Sequence, residues 1–181
     1  MRTIVRPGRN IVLTGFMGTG KSEVGKRLAE RLEWRFIDTD NVIERELGKS
    51  IAQIFTEKGE AYFRTQERRV IAQTWHQQAC VIATGGGTIA DPANVRLLKK
   101  SGLVVCLTAT PEVIYKRVGK STNRPLLQEG EPLAKIRTLI ADRSRAYAKA
   151  DVMVETSQYS LDNVVDAVLA AYMKSNGESF G

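Results

Sequence analysis

The sequence predicts an α/β fold in which helices cover both faces of a parallel β-sheet. Short apolar runs alternate with amphipathic segments along the 181 residues, and a glycine-rich segment follows the first run. This alternation is typical of parallel sheets, because each connection between parallel strands must cross from one end of the sheet to the other. At this length we expect one domain, residues 1–181, with a single hydrophobic core.

Five apolar runs rich in Ile, Val and Leu are predicted to be strands. They cover residues 10–14, 34–38, 80–84, 103–108 and 151–155. Helical periodicity predicts helices at residues 21–32, across 41–75 as a broken pair, and at 91–100, 111–118, 132–148 and 160–173. The end of the chain, about 175–181, is predicted to be a flexible tail.

Two segments depart from this alternation. The helices between the second and third strands are longer than a minimal crossover needs, and their part at about 41–70 is predicted to be a substrate-binding insertion. Residues 119–131 are polar and begin at Gly119, with Gly130 near their end. This composition favours a lid that closes over a site, and a surface loop without function is the alternative.

The composition excludes several classes of protein. The chain is 43% hydrophobic and 26% charged, as ordinary globular proteins are. It contains no apolar run of the roughly 20 residues that a membrane span needs, and its first residues lack the apolar core of a signal peptide. Cys80 and Cys106 lie in apolar runs and are predicted to be reduced core residues. We therefore expect a cytoplasmic protein with no membrane partner.

The net charge of +7 indicates an anionic partner, either nucleic acid or a small substrate. The basic residues that cluster along the chain are Lys116, Arg117, Lys120, Arg124, Arg143 and Arg145. Such a cluster favours a compact anion pocket over the long basic stripe of a nucleic-acid surface. No RNA- or DNA-binding motif is present. We expect no nucleic acid, and a nucleotide-dependent nucleic-acid-binding module remains a distant alternative.

Residues 15–22, Gly-Phe-Met-Gly-Thr-Gly-Lys-Ser, fit the phosphate-loop pattern G-x-x-x-x-G-K-S. They follow a predicted strand and open a predicted helix, so loop N–H groups and the positive end of the helix can bind phosphates. Lys21 is expected to bridge the β- and γ-phosphates, and the Ser22 hydroxyl to ligate Mg²⁺. The predicted nucleotide-binding residues of this segment are Gly18, Thr19, Gly20, Lys21, Ser22 and Glu23.

A nucleoside triphosphate site also needs a carboxylate near the metal, and the second predicted strand ends in Asp38-Thr39-Asp40. Alternate residues of an extended chain point the same way, so both carboxylates are predicted to face the crevice at the strand ends. Asp38 is predicted to hold Mg²⁺ through water, which leaves Asp40 for the substrate. In the alternatives, one of them caps the helix that begins near Asn41, or Asp151 or Glu155 serves the metal.

Two further segments are candidates for binding the phosphate acceptor. Arg64 and Glu67 lie three residues apart on one predicted helical face, where they form either part of a site or an ion pair on a solvated helix. Gly85-Gly86-Gly87 directly follows the third strand. Successive glycines favour close approach of a ligand to the backbone, and a simple turn is the alternative.

Two arginines later in the chain complete the candidates. Arg124, in the predicted lid, precedes Pro125 and is therefore restricted to extended conformations. From there it could bring positive charge to a transferred phosphoryl group. Arg143 lies in the following helix, with Tyr147 one turn on.

Taken together, these motifs resemble those of shikimate kinases. The matching segments are Gly-x-x-Gly-x-Gly-Lys-Ser at 15–22, Asp-Thr-Asp at 38–40, Phe-Arg-x-x-Glu at 63–67, Gly-Gly-Gly at 85–87, Arg-Pro-Leu-Leu at 124–127 and Arg-x-x-x-Tyr at 143–147. They follow the family's order and usual separations over residues 10 to about 173. The chain departs from the family at Arg145, where proline is frequent.

The resemblance implies a three-layer P-loop kinase fold, like that of nucleoside-monophosphate kinases, with five parallel strands ordered 2-3-1-4-5 and a lid. It implies transfer of the ATP γ-phosphate to the 3-hydroxyl of shikimate, with Mg²⁺, on the route to chorismate and the aromatic amino acids. It also implies a monomer. Gluconate kinase and nucleotide kinase are alternatives on the same fold, although a pair of arginines suits a carboxylate better than a base.

The resemblance also implies roles for individual residues. Lys21, Asp40 and Arg124 would be catalytic, and Asp40 would bind the ring hydroxyls of shikimate and serve as the base. The carboxylate of shikimate would be held by Arg64 and Arg143, beside backbone donors at Gly86 and Gly87. Arg124 would reach the phosphates from the lid, and Arg117 would lie against the adenine.

Overall fold

The computed structural model describes residues 9–118 and 131–177, which form an α/β structure around one parallel sheet. Its five strands lie in the order β2-β3-β1-β4-β5, which confirms the order implied by the family resemblance. The strands are β1 (Asn10–Thr14), β2 (Arg35–Asp38), β3 (Cys80–Ala83), β4 (Gly102–Thr108) and β5 (Val152–Glu155). The helices are α1 (Lys21–Leu32), α2 (Thr39–Leu47), α3 (Ile51–Thr74), α4 (Pro92–Ser101), α5 (Pro111–Val118), α6 (Pro132–Tyr147) and α7 (Leu161–Ser175).

The sheet is the middle of three layers. Ile11 and Leu13 face a core shared with α1 and α7, while Val12 faces a second core lined by α4, α5 and α6. Because both faces are covered, the strands of the sheet centre are continuous apolar runs in the sequence. Cys80 and Cys106 are buried free thiols, as predicted. Within the described parts of the chain, no helix combines the length and apolarity that crossing a membrane requires.

The helices between β2 and β3 are α2 and α3, which confirms the predicted broken pair. Gly48 ends α2 in a left-handed conformation (φ 63°), and Ser50 begins α3 with a capping box. Gly59 (φ 79°) interrupts the helical geometry within α3. The two helices share a small core of their own, which includes Ile43 and Phe63. The substrate-binding role of this insertion, about 41–70, stays a prediction.

Several predicted boundaries change. The second helix begins at Thr39 rather than near Asn41, because Asp38 accepts backbone N–H bonds and caps it. The last helix runs to Ser175 rather than ending at 173, and residues 178–181 of the tail predicted at about 175–181 lie outside the described part. A short 3₁₀ turn over Thr88–Ala90 was not predicted. The predicted lid, 119–131, also lies outside the described residues except for Glu131, which precedes α6.

The strand register brings the candidate segments together at the carboxyl ends of the strands. Asp38 pairs with Ala83 of β3, which pairs in turn with Leu13 of β1. The polar segment of β2, the triple glycine after β3 and the phosphate loop after β1 therefore leave three adjacent strands side by side. On the other side of β1, Thr108 of β4 pairs with Glu155 of β5.

Asn10 fixes the start of β1, the strand that leads into the phosphate loop. Its side chain is fully buried. The Nδ2 donates to the Gln77 carbonyl (2.6 Å) and to Ser101 Oγ (2.8 Å), and the Oδ1 accepts from the Cys80 N–H (3.0 Å). One side chain therefore joins β1 to the segment before β3 and to the end of α4.

We expect Asn10→Ala to lower the free energy of unfolding by about 2–4 kcal/mol, because it leaves two buried polar groups and one partly buried carbonyl without their partner. Denaturant unfolding followed by circular dichroism measures this change. Asn41→Ala, at an exposed position, is the control and should change stability by less than about 0.5 kcal/mol. Equal losses in the two variants would contradict the assigned role of Asn10.

Candidate active site

The phosphate loop bends tightly between β1 and α1. Gly15, Gly18 and Gly20 have φ values of 130°, 75° and 95°, which side chains other than glycine rarely adopt. A Cβ at Gly15 would lie 2.2 Å from the Leu107 carbonyl oxygen, so the loop begins pressed against β4. The Thr19 hydroxyl donates to the Phe16 carbonyl at 2.8 Å and closes the turn.

The loop forms one wall of a cavity of about 260 Å³. The lining residues are Met17, Gly18, Gly20, Lys21, Ser22, Glu23, Asp38, Asp40, Ala83, Thr84, Gly85 and Gly86. The Lys21 ammonium donates to the carbonyls of Gly15 and Phe16 at 2.8 and 2.9 Å, within the curve of the loop. Glu23 lies at the exposed rim, 3.7 Å from the Lys26 ammonium. The cavity thus joins the predicted nucleotide-binding loop to both candidate aspartates.

Asp38 uses its two carboxylate oxygens for different purposes. Oδ2 accepts from the Ser22 hydroxyl at 3.0 Å, and Oδ1 accepts from the N–H groups of Asp40 (3.1 Å) and Asn41 (3.3 Å). Asp38 therefore caps α2, which was one of the alternatives, and also faces the phosphate loop, while its role at the metal stays a prediction.

The Ser22 and Asp38 oxygens fit a hard divalent cation such as Mg²⁺, which prefers oxygen ligands and keeps several waters. Over the described ranges, no group of three or more His, Cys, Asp and Glu residues could hold a metal by itself. A cation here would therefore depend on water and phosphate oxygens for its remaining ligands.

The two acids of the last strand lie elsewhere. Asp151 precedes β5 at the opposite end of the sheet, where it accepts from the Val104 N–H (2.9 Å) and pairs with Lys99 (2.9 Å). Glu155 accepts from the Ser157 N–H at 2.7 Å. Neither residue lines the cavity, so these alternatives to Asp38 lose their support.

Asp40 reaches the cavity by a different route from the one predicted. The expectation that an extended chain aligns Asp38 and Asp40 is wrong, because β2 ends at Asp38 and Asp40 lies in the first turn of α2. The helix cap turns its carboxylate into the cavity instead. Although the residue is half-buried, its Oδ1 is inaccessible and has no hydrogen-bond partner in the described part of the chain.

Burial is the main cause that raises the pKa of Asp40, from 3.8 to about 6. The negative charges of Asp38, Glu67 and Glu44 raise the pKa further, and the Lys21 ammonium opposes them. The group is therefore largely ionised at neutral pH, while remaining more basic than an ordinary aspartate.

Arg64 and Glu67 form a partly buried pair, with Glu67 buried and Arg64 partly exposed, and not a fully solvated ion pair. Arg64 Nη1 donates to Glu67 Oε2 at 3.1 Å, and Nη2 donates to Glu60 Oε1 at 3.0 Å. The Glu67 residue is only 1% exposed, and its Oε1 accepts from the Thr88 hydroxyl at 2.6 Å. Both oxygens of Glu67 are thus occupied, and Arg64 is held from one side.

The triple glycine lets these groups converge. A Cβ at Gly87 would lie 2.7 Å from both terminal nitrogens of Arg64. A Cβ at Gly85 would lie 2.9 Å from Asp40 Oδ1 and 3.0 Å from Glu67 Oε1. A side chain at either position would have to displace these groups, which favours a site built around the glycines over a simple flexible turn.

Arg143 approaches the same glycines from α6. Its Nη1 lies 3.7 Å from the position of a Cβ at Gly86, and its guanidinium carbon lies 5.6 Å from the centroid of the Phe16 ring. The Tyr147 hydroxyl donates to the Gly86 carbonyl at 3.0 Å. Arg145, at the position where the resemblance leads one to expect proline, is exposed, and α6 continues through it to Tyr147.

Arg117 contacts the phosphate loop from α5. Its Nη1 donates to the Gly18 carbonyl and to the Thr156 hydroxyl, each at 3.1 Å, and its Nη2 donates to the Thr156 carbonyl at 2.9 Å. Arg124, predicted to act from the lid, lies outside the described residues.

Some residues of this arrangement were not predicted. Glu67 was noted only as a possible partner of Arg64, and its burial against Thr88 depends on a contact across 21 residues. Thr156 belongs to none of the predicted motifs, although it directly follows β5 at the strand ends where sites of such sheets form. That position was the available signal.

Comparisons with known proteins identify the family of this chain. The family model for shikimate kinase matches residues 17–173. A shikimate kinase from Pelotomaculum thermopropionicum is 47% identical over 161 residues, which are 89% of this chain and 94% of that protein. The solved structure of shikimate kinase from Acinetobacter baumannii in complex with shikimate superposes with a TM-score of 0.88 at 38% identity, covering 96% of each chain.

A gluconokinase from Sinorhizobium meliloti 1021 is a more distant neighbour. Its structure matches with a TM-score of 0.57 at 17% identity and covers 92% of this chain and 93% of that one. At this identity the likeness shows a shared fold alone. The family model and the relatives at much higher identity decide the assignment: the chain belongs to the shikimate kinase family.

Proposed function

We propose that this protein transfers the γ-phosphate of ATP to the 3-hydroxyl of shikimate, giving shikimate 3-phosphate and ADP. The observation that carries the proposal is the convergence of three groups on the triple glycine beside the phosphate loop. These are the Oδ1 of Asp40, which has no hydrogen-bond partner among the described residues, and the guanidinium groups of Arg64 and Arg143. A carboxylate that can accept the proton of a hydroxyl group and two guanidinium groups that can bind a carboxylate therefore lie next to the proposed triphosphate site.

On the donor side, the loop residues Gly18, Thr19, Gly20, Lys21 and Ser22 bind the phosphates, with Glu23 at the rim. The Lys21 ammonium leaves the loop carbonyls for the β- and γ-phosphates when nucleotide binds. Ser22 and, through water, Asp38 hold Mg²⁺, which neutralises phosphate charge. Arg117, beside the loop, lies against the adenine.

On the acceptor side, Arg64 and Arg143 hold the carboxylate of shikimate. A planar guanidinium can make two parallel hydrogen bonds to a carboxylate, which lysine cannot. The backbone N–H groups of Gly86 and Gly87 add donors. Asp40 binds the ring hydroxyls and accepts the proton of the attacking one, a role that suits a carboxylate with a pKa of about 6.

The remaining parts of the proposal follow from sequence and family. Arg124, on a lid over 119–131, reaches the transferred phosphoryl group and completes the catalytic set with Lys21 and Asp40. The insertion at 41–70 binds the acceptor. The protein acts as a monomeric single domain in the cytoplasm, on the route to chorismate and the aromatic amino acids.

The competing function is phosphorylation of gluconate, which also combines a carboxylate with hydroxyl groups. ADP release measured with ATP-Mg²⁺ and shikimate, quinate, gluconate or AMP distinguishes the candidates. We expect turnover with shikimate, and Lys21→Ala should remove most of it because the γ-phosphate loses its cation. Folded, ATP-binding protein that turns over gluconate but not shikimate would contradict the proposal.

A second prediction concerns Arg64→Lys, which keeps the charge and the pairing with Glu67 but removes the planar fork. We expect the KM for shikimate to rise roughly tenfold or more, with the KM for ATP little changed. Arg68→Lys, an exposed neighbour on α3 that pairs with Asp91, is the matched control. Equal effects on the two substrates would count against the placement of Arg64 in the acceptor site.

A third prediction concerns the pH dependence of stability. Because the pKa of Asp40 is higher in the folded state, the protonated carboxyl favours folding below pH 3.8, and this contribution is lost as the pH rises to about 6. The stability of the wild type relative to Asp40→Asn should therefore fall by up to about 3 kcal/mol between pH 3.5 and 7.

Denaturant unfolding of both proteins at several pH values measures this difference. Asp142→Asn, which changes an exposed carboxylate on α6, is the control. The expectation fails if both variants differ from the wild type by the same amount across the range.

A further inference from the structure

Thr156 lies at the far side of the phosphate loop from the acceptor residues and is only 3% exposed. It directly follows β5, the outer strand next to β4. Its hydroxyl lies 3.1 Å from the Thr19 carbonyl oxygen and 3.0 Å from the Thr108 carbonyl oxygen, and it accepts from Arg117 Nη1 at 3.1 Å. One small side chain therefore contacts β4, α5 and the phosphate loop.

The single hydrogen of this hydroxyl can be donated to the Thr19 carbonyl or to the Thr108 carbonyl. The Thr108 carbonyl already accepts the backbone N–H of Thr156 at 2.9 Å. Arg117 can only donate hydrogen bonds. The Thr156 hydroxyl oxygen therefore accepts from it through a lone pair, and its own hydrogen stays available for a carbonyl. When its hydrogen is donated to Thr19, the hydroxyl links the Arg117 guanidinium to the backbone of the loop.

A bond to the Thr19 carbonyl controls where the next N–H points. A trans peptide unit is planar, and its C=O and N–H are directed oppositely. Holding the Thr19 carbonyl towards β5 therefore directs the Gly20 N–H the other way, and Gly20 lines the cavity. Arg117 holds the preceding carbonyl, that of Gly18, in the same manner.

We infer that Thr156 is a positioning residue for the nucleotide phosphates. Together with Arg117 it fixes two consecutive peptide units of the loop, so that the Gly20 N–H is aimed before ATP arrives. Preorganised donors bind more tightly, because the loop need not be ordered at the moment of binding. The inference rests on the proposed function only in taking the cavity as the ATP site.

The test is calorimetric titration of the full chain with ADP in the absence of shikimate, followed by steady-state kinetics. Thr156→Val keeps the shape and removes the hydroxyl, and we expect ADP to bind roughly 5- to 30-fold more weakly. The KM for ATP should rise in proportion, while the KM for shikimate changes less than about twofold. Thr156→Ser, which restores the hydroxyl, should recover most of the affinity.

Thr74→Val is the matched control, because Thr74 is also buried and its hydroxyl also bonds to backbone carbonyls, those of Val70 and Ile71, but in α3. It should leave the ADP affinity unchanged. If Thr156→Val does not fold, Thr156→Ala is measured against the same limits.

Three results would overturn the inference: unchanged ADP affinity in the Thr156 variant, failure of the serine variant to recover it, or an equal loss in Thr74→Val. A wild-type protein that does not bind ADP would instead contradict the proposed function, so the two failures are distinguishable.

Discussion

The two oxygens of Asp38 join the donor and acceptor halves of the site. One accepts the Ser22 hydroxyl at the phosphate loop, and the other caps α2 through the N–H groups of Asp40 and Asn41. The cap decides where α2 begins, and the start of α2 decides where the Asp40 carboxylate points. A shift of Ser22 therefore acts on Asp38, which lies two residues before the proposed base, Asp40.

The acceptor side depends on a balance of buried charge. Asp38, Asp40 and Glu67 lie close enough for their repulsion to raise the pKa of Asp40, and Arg64 offsets part of this charge by pairing with Glu67. Burying a carboxylate is unfavourable unless it is paired. Both oxygens of Glu67 have partners, whereas the Oδ1 of Asp40 has none in the described chain. The unfavourable free energy of burial therefore falls mainly on the Asp40 carboxylate. A substrate hydroxyl that donates to its Oδ1 would reduce it.

Much of the fold could be predicted from the sequence, because the spacing of apolar residues along this chain matches the residues that are buried in its helices and strands. The apolar strands, the glycines of the phosphate loop and the break between α2 and α3 each leave a local signal. The direction of Asp40 could not be predicted in this way, because it depends on a helix cap that replaces extended chain after Asp38. The burial of Glu67 and the contacts of Thr156 join segments 21 and 137 residues apart, and no local pattern records such contacts.

The parallel topology explains why one loop can serve two different molecules. The phosphate loop follows the central strand β1, so it has a neighbouring strand end on each side. The β3 side supplies the triple glycine and, through β2, the two aspartates. The β4 and β5 side supplies Thr156 and reaches Arg117. The two sets of contacts therefore reach the loop from different strand ends, and Asp38 connects them.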